Sequence, residues 1–245
     1  MLTMIEIRNI RKSYGDHPVV DNLSLTVKTG SVFGFLGPNG AGKTTTMKML
    51  VGLLRPDSGT IRIDGHEPHD TPSREEIGFM PEDPYFYDRL SGIEFLTFCG
   101  QLFKKSYPKT RNEYSEILKM VGMYDARDSA SGTYSKGMKQ RLGFAQALVN
   151  DPAHLFLDEP LDGLDPIGRR EIKGMIKKLH ADGKTIFFNS HVLADVEEIC
   201  HEIGIIHRGK LVYAGDVKQF CNGRTLEEQF VTAIEKERNT SVLTL

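Results

Sequence analysis

Ile5 and Ile7 alternate with Glu6 and Arg8 near the start of the chain, and Leu23, Leu25 and Val27 alternate with Ser24 and Thr26 soon after. A period of two is that of a half-buried strand. Met4 to Ile10, Val19-Val20 and Leu23 to Val27 therefore read as strands, with turns such as Tyr14-Gly15-Asp16 between them, in an antiparallel sheet. Val32 to Leu36 is an unbroken apolar run. From Thr44 the period lengthens: Met47, Leu50, Val51 and Leu54 fall at i, i+3, i+4 and i+7, predicting a helix that Pro56-Asp57-Ser58-Gly59 stops. Thr60 to Ile63 returns as a strand before an Asp64-Gly65 turn. From about Pro84 to Val149 the pattern is mainly helical, over Gly92 to Phe103, Thr110 to Val121 and Ser135 to Val149. Strands and helices then alternate in a parallel α/β manner: Leu155 to Leu157, Pro166 to His180, Thr185 to Phe188, Val192 to Cys200. Ile203 to Ile206 and Leu211 to Ala214 flank Arg208-Gly209 as a hairpin. Leu226 to Glu237 predicts a last helix, and the residues after it read as unstructured.

Composition narrows the class. The chain has 245 residues, 39% hydrophobic and 26% charged, an ordinary globular balance with enough length for a large core. A net charge of −2 offers no global basic field for nucleic acid, although a local basic patch stays open. Cys99, Cys200 and Cys221 have neither pairing nor metal spacing and read as buried small apolar groups in a reducing compartment. The opening MLTMIEIRNIRK does not read as a secretory signal. No stretch approaches the ~18 apolar residues of a membrane span, so any spanning would fall to another chain.

The chemistry concentrates at Gly37-Pro38-Asn39-Gly40-Ala41-Gly42-Lys43-Thr44-Thr45, between an apolar strand and a helix. This is a phosphate-cradling loop. Gly37, Gly40 and Gly42 let the backbone aim successive N–H groups at an anion. Lys43 can reach the β- and γ-phosphates, Thr44 can offer its hydroxyl to Mg²⁺, and the helix N-terminus adds partial positive charge. Leu155-Phe156-Leu157-Asp158-Glu159-Pro160 is an apolar strand ending in two acids. Asp158 suits Mg²⁺ through its water shell. Glu159 points elsewhere and is placed to accept a proton from a water attacking the γ-phosphate. His191, after the strand Ile186 to Phe188, can hydrogen-bond that phosphate and water; a histidine at a strand end is also commonly structural. Ser135 caps a long helix whose buried face is Met138, Leu142, Ala145 and Leu148, a further place for an anion.

In this order, the segments resemble the nucleotide-binding subunit of the ATP-binding cassette (ABC) family, over about Met4 to Gly215. The resemblance implies an α/β fold: a P-loop NTPase core with a mainly parallel sheet, an N-terminal antiparallel β subdomain and an inserted α-helical subdomain. Residues 1–225 would form the nucleotide-binding domain, with the helical insertion at about 84–149, and 226–245 a C-terminal helix and tail. It assigns Tyr14 to stacking on adenine. Tyr134-Ser135-Lys136-Gly137-Met138 takes the place of the signature usually written LSGGQ, with Ser135 and Gly137 kept for phosphate contact. Glu159 becomes the base, Leu161-Asp162-Gly163-Leu164-Asp165 the loop that follows, and His191 the switch histidine. The pattern departs at Lys136, where glycine is commonest, and at Met138, where glutamine is. In the loop that usually carries a glutamine, Phe79-Met80-Pro81-Glu82-Asp83, Glu82 takes that place; a carboxylate can bind Mg²⁺ but adds negative charge near phosphates.

The implied protein is an ATPase that uses ATP and Mg²⁺ in a head-to-tail homodimer or heterodimer. Its catalytic residues are Glu159, His191 and Lys43, and Thr44, Glu82 and Asp158 surround the metal. The glutamate and the SKGM signature resemble ATPases of ABC-2-type exporters, which implies an integral membrane permease as partner, a cytoplasmic location on the inner face of the membrane, and no nucleic acid. Tyr85-Phe86-Tyr87 could be a docking cluster or part of the core. Two other functions compete. A soluble ABC ATPase acting on ribosomes or DNA usually carries two cassettes, coiled-coil insertions or basic extensions. A small-molecule kinase or GTPase would leave Ser135, Asp158-Glu159 and His191 as coincidences.

Overall fold

Alternation at the start of the chain produces β1 (Thr3–Tyr14), and the computed structural model describes residues 3–103 and 111–242 in all. The chain forms two units: Met1–Asp70 with Phe187–Leu245, and Thr71–Ile186. Elements are numbered in chain order.

The first unit contains β1, β2 (His17–Lys28), β3 (Val32–Leu36), α1 (Lys43–Leu50) and β4 (Ser58–Ile63). β1 lies between β2 and β4 in an antiparallel sheet. Ile5 pairs with Val27 and Ile63, and Ile7 with Leu25 and Ile61, so six buried aliphatic side chains share a face. The ladder shifts register after Ile7, where Asn9 has a φ of 50°. Asparagine tolerates this left-handed geometry. The bulge resets the alternation, which is why β1 continues to Tyr14 beyond the strand predicted to Ile10.

Later in the same unit come α7 (Leu193–Ile199), β8 (Glu202–His207), β9 (Lys210–Asp216), α8 (Val217–Cys221) and α9 (Leu226–Val242). β3 runs parallel to β8, and β9 returns antiparallel to β8 in the expected hairpin. Phe33 and Phe35 lie 5.4 and 5.6 Å from the ring of Phe187. Gly34 lets α7 approach: a Cβ there would stand 2.8 Å from Val196.

The second unit holds α2 (Thr71–Glu75), β5 (Ile77–Met80), α3 (Gly92–Gln101), α4 (Arg111–Met120), α5 (Lys136–Ala147), β6 (His154–Asp158) and α6 (Pro166–Ala181). β5 and β6 are parallel, with Ile77 opposite His154 and Met80 opposite Leu157. Ser91 and Glu94 form a reciprocal capping box on α3. Ser135 and Asp165 cap α5 and α6 with their side chains. β7 (Thr185–Asn189), buried throughout, carries the chain from this unit into the other.

The structure corrects several boundaries. α1 ends at Leu50 rather than Leu54, because Gly52 takes a φ of 71° before the proline is reached. Phe79 and Met80 belong to a strand, not a loop. α2 and α8, five residues each, are too short to show a helical period. α9 reaches Val242, beyond the predicted Glu237. Thr110 and residues 243–245 lie outside the described residues.

Candidate functional site

The glycine turn fills the gap between Leu36, the last residue of β3, and Lys43, the first of α1. A Cβ on Gly37 would lie 2.3 Å from the carbonyl oxygen of Ile206 in β8. Gly42 caps α1 at a φ of 108°, and a Cβ there would lie 2.6 Å from the carbonyl oxygen of Val19. Ala41 is buried; its N–H donates to the Pro38 carbonyl at 3.1 Å, and its own carbonyl accepts from Gly209 N at 3.0 Å. Lys43, only 8% exposed, folds its ammonium back over the turn and donates to the carbonyl of Gly37 at 2.7 Å and of Pro38 at 3.3 Å. Thr44 and Thr45 follow half-buried, while Asn39 and Gly40 face solvent. The first turn of α1 contains no acid, so its partial positive charge remains available to an anion.

Tyr14 ends β1 with 53% of its surface exposed. Asp57 grips the strand behind it. Its carboxylate accepts from Lys12 Nζ at 2.6 Å and from the Ser13 N–H at 2.7 Å, and its own N–H donates to the Arg11 carbonyl at 2.8 Å. The Lys12 and Ser13 hydrogen bonds hold the Asp57 carboxyl below its ordinary range. The sequence showed Asp57 only as a turn residue. His191 is exposed in the same unit, just after Ser190, whose hydroxyl accepts from the Val192 N–H at 3.0 Å.

In the second unit, Asp158 ends β6 at 2% exposure and Glu159 follows at 8%. Glu159 has a φ of 51°, so the chain leaves the extended strand conformation at this residue. The Glu159 carbonyl accepts from Gln140 Nε2 at 2.8 Å and from Asp162 N at 3.1 Å. Ser135, exposed, accepts from the Met138 N–H at 3.3 Å. Tyr134 is buried and donates its hydroxyl to the Ala126 carbonyl at 2.6 Å. Lys136 pairs with Asp162 at 2.7 Å. That hydrogen bond raises the pKa of the Lys136 ammonium, with smaller contributions from Asp83 and Glu82.

This unit therefore brings together the signature turn, the Glu159–Gly163 turn and the charge of Glu82. Met138 is half-buried rather than part of a fully buried face; the buried residue beside it is Gln140. Gln140 was missed, although its i, i+4 spacing from Lys136 places both on one side of α5. The aromatic cluster divides: Phe86 is 2% exposed and meets Phe95 edge-on at 5.0 Å, whereas Tyr85 is 87% and Tyr87 56% exposed.

A strand, an anion turn wedged against backbone and a lysine folded over it define an α/β protein of the P-loop NTPase class. Residues 20–162 match the family model described as ABC transporter, and the chain belongs to that family, among its ATP-binding subunits. It is 47% identical over 203 residues to the uncharacterized ABC transporter ATP-binding protein all4389 of Nostoc sp. (strain PCC 7120), a match covering 82% of this chain and 61% of that relative's length. It is 40% identical over 245 residues to Nod factor export ATP-binding protein I of Cupriavidus metallidurans, covering 98% of this chain and 81% of the relative. A solved ATP-binding subunit of an ABC transporter superposes with a TM-score of 0.85 at 28% identity, covering 94% of this chain and 99% of the other.

Proposed function

We propose that this protein binds ATP with Mg²⁺ and hydrolyses it in a head-to-tail pair, supplying the work for a membrane exporter. The observation that carries the reading is the construction of the Gly37–Lys43 turn, which can accept a phosphate chain without rebuilding its backbone. Gly37 and Gly42 leave no room for a side chain, and the ammonium of Lys43 folds over the turn onto the Gly37 carbonyl. Residues Gly37 to Thr45 hold the phosphates, Tyr14 stacks on the base, and Ser135, Gly137 and Met138 contact the nucleotide of the opposite copy. When Mg²⁺ is bound it neutralises phosphate charge, with the Thr44 hydroxyl and the Asp158 carboxylate as its holders and Glu82 as a further oxygen. Glu159 orients a water in line with the γ-phosphate and accepts its proton. Lys43 and the signature N–H groups stabilise the charge that spreads over the transferring group, and His191 hydrogen-bonds it.

Residues 1–225 form the working cassette in this reading, and residues 84–149 face the partner. Among the described residues no helix is long and apolar enough to cross a membrane. On this reading the path for cargo belongs to a separate permease, which holds the protein at the cytoplasmic face. Tyr85 and Tyr87 are the exposed aromatics offered for docking. A cavity of about 470 Å³, lined by residues including Phe79, Leu102, Phe103 and Asn150, adds an apolar recess in the same unit. The Nod factor export relative supports the outward direction.

Glu159→Gln tests the chemistry. It should bind ATP and accumulate as a stable dimer in sedimentation, with hydrolysis lost; hydrolysis at the wild-type rate removes Glu159 from this role. Mixing Lys43→Ala with Ser135→Ala chains should restore a share of activity if each site draws on two copies. Co-purification of a polytopic membrane protein, lost in Tyr85→Ala without loss of ATP binding, tests the docking assignment.

A further inference from the structure

Lys136 stands between Ser135 and Gly137, and its exposed side chain reaches across to the turn after Glu159. Its ammonium lies 2.7 Å from Asp162 Oδ2. Its stem lies over Gly163, where a Cβ would meet Lys136 Cε at 2.7 Å, Cδ at 2.8 Å and Cγ at 3.0 Å. Gly163 has a φ of 68° and presents a bare Cα to that stem. A Cβ on neighbouring Gly137 would lie 3.5 Å from the Gly163 carbonyl oxygen, so the two backbones are also close. One helical turn further along α5, Gln140 holds the carbonyl of Glu159 at 2.8 Å. The Glu159–Gly163 turn is thus pinned to α5 at both ends: inside by Gln140, outside by Lys136.

The outer pin is exposed, with 71% of the Lys136 and 41% of the Asp162 side chain accessible. Such pairs add little to fold stability. The consequence of this one is positional. Asp162, and more weakly Asp83 and Glu82, raise the proton affinity of Lys136, which keeps its ammonium charged beside the turn.

We infer that Lys136 is a positioning residue that latches the signature turn to the turn bearing Glu159, through Asp162 and Gly163. Capture of one nucleotide by Ser135 and Gly137 then fixes the Glu159 that serves the nucleotide on the same chain. This rests on the paired ATPase reading above. Lys136 touches no reacting atom in this role; it acts by moving two machinery segments as one body.

The test uses the full chain carrying Glu159→Gln, with pairing followed by sedimentation against ATP concentration. Lys136→Met and Asp162→Asn should each raise the half-saturating ATP about fivefold, the size expected for an exposed pair. The double variant should be no worse than either single one. Exchanging the charges, Lys136→Asp with Asp162→Lys, should return the value to within about twofold of the parent. Independently, amide hydrogen exchange across residues 159–164 in nucleotide-free protein should quicken about fivefold in either single variant. Additive losses, unchanged exchange, or an Asp162→Asn protein that pairs like the parent while Lys136→Met does not would overturn the latch; the last result would make the lysine a direct phosphate contact. A Glu159→Gln parent that never pairs would refute the paired reading itself, and the exchange measurement would still decide the latch.

Discussion

The side-chain amide of Gln140 donates to the main-chain carbonyl of Glu159 at 2.8 Å, and Gln140 is only 3% exposed. Glu159 sits at a φ of 51°, a backbone conformation that costs a side-chain-bearing residue about 1 kcal/mol or more. Its carbonyl has a second donor in Asp162 N at 3.1 Å. Taking away the glutamine loosens the turn without touching the carboxylate. Gln140→Leu should lower kcat about tenfold, equivalent to one buried hydrogen bond, while ATP binding measured by calorimetry changes little. Equal losses in binding and turnover would show that Gln140 acts on the nucleotide site as a whole.

Asp57 is expected to act on the adenine side through the strand it grips. Asp57→Asn keeps the shape but weakens the Lys12 and Ser13 contacts, so nucleotide affinity should fall while affinity for inorganic tripolyphosphate holds. The pH dependence has a definite sign. A carboxyl whose pKa is lowered on folding stabilises the fold at pH above its unfolded value and ceases to do so on acidification through the folded one. The difference in melting temperature between wild type and Asp57→Asn should therefore be present at neutral pH and close only below pH 3.8, the ordinary value for this carboxyl. Calorimetric melting across that range measures it.

The aromatic run separates stability from docking. Phe86→Ala removes a buried ring packed on Phe95 and should cost about 3–5 kcal/mol in urea unfolding. Tyr85→Ala, at 87% exposure, should leave the midpoint within about 0.5 kcal/mol of wild type. A large loss for Tyr85→Ala would place that ring in the core.

The three thiols should be silent in the native protein. Cys99, Cys200 and Cys221 are free and buried. Burial pushes Cys99 to about 11 and Cys200 well above its ordinary value. At pH 8 the thiolate fraction of Cys99 is then about one in a thousand. Mass spectrometry after brief iodoacetamide treatment should find no adduct on these cysteines until denaturant is added, whereupon all three react.

What was readable beforehand depended on pattern length. The alternation at Ile5 and Ile7, the apolar run before Gly37 and the long stripes of α5 and α6 each span enough residues to declare a period. β5 has four residues, buried on both faces rather than alternating, and α2 has five; neither is long enough to declare a period, so the segment around Phe79 looked like loop. The anion turn was legible because backbone curvature demands glycine at fixed intervals. The grip of Asp57 on Lys12 spans 45 residues, and the hold of Gln140 on Glu159 spans 19. Contacts across such separations leave no periodic trace. Lys136 was noticed only as a departure from glycine; its partner became evident once the Asp162 loop was placed beside α5.

Where Gly37 abuts the Ile206 carbonyl, the nearest obstacle to a substituent is main chain, which cannot rotate away as the Ile206 side chain behind it could. Repacking of neighbours cannot relieve a methyl group there; a whole strand would have to shift. Evolutionary tinkering at this spot is consequently closed to second-site suppressors of the usual cavity-making kind; under the proposed ATPase reading, variation in phosphate grip falls to Lys43, Thr44 and Thr45 instead.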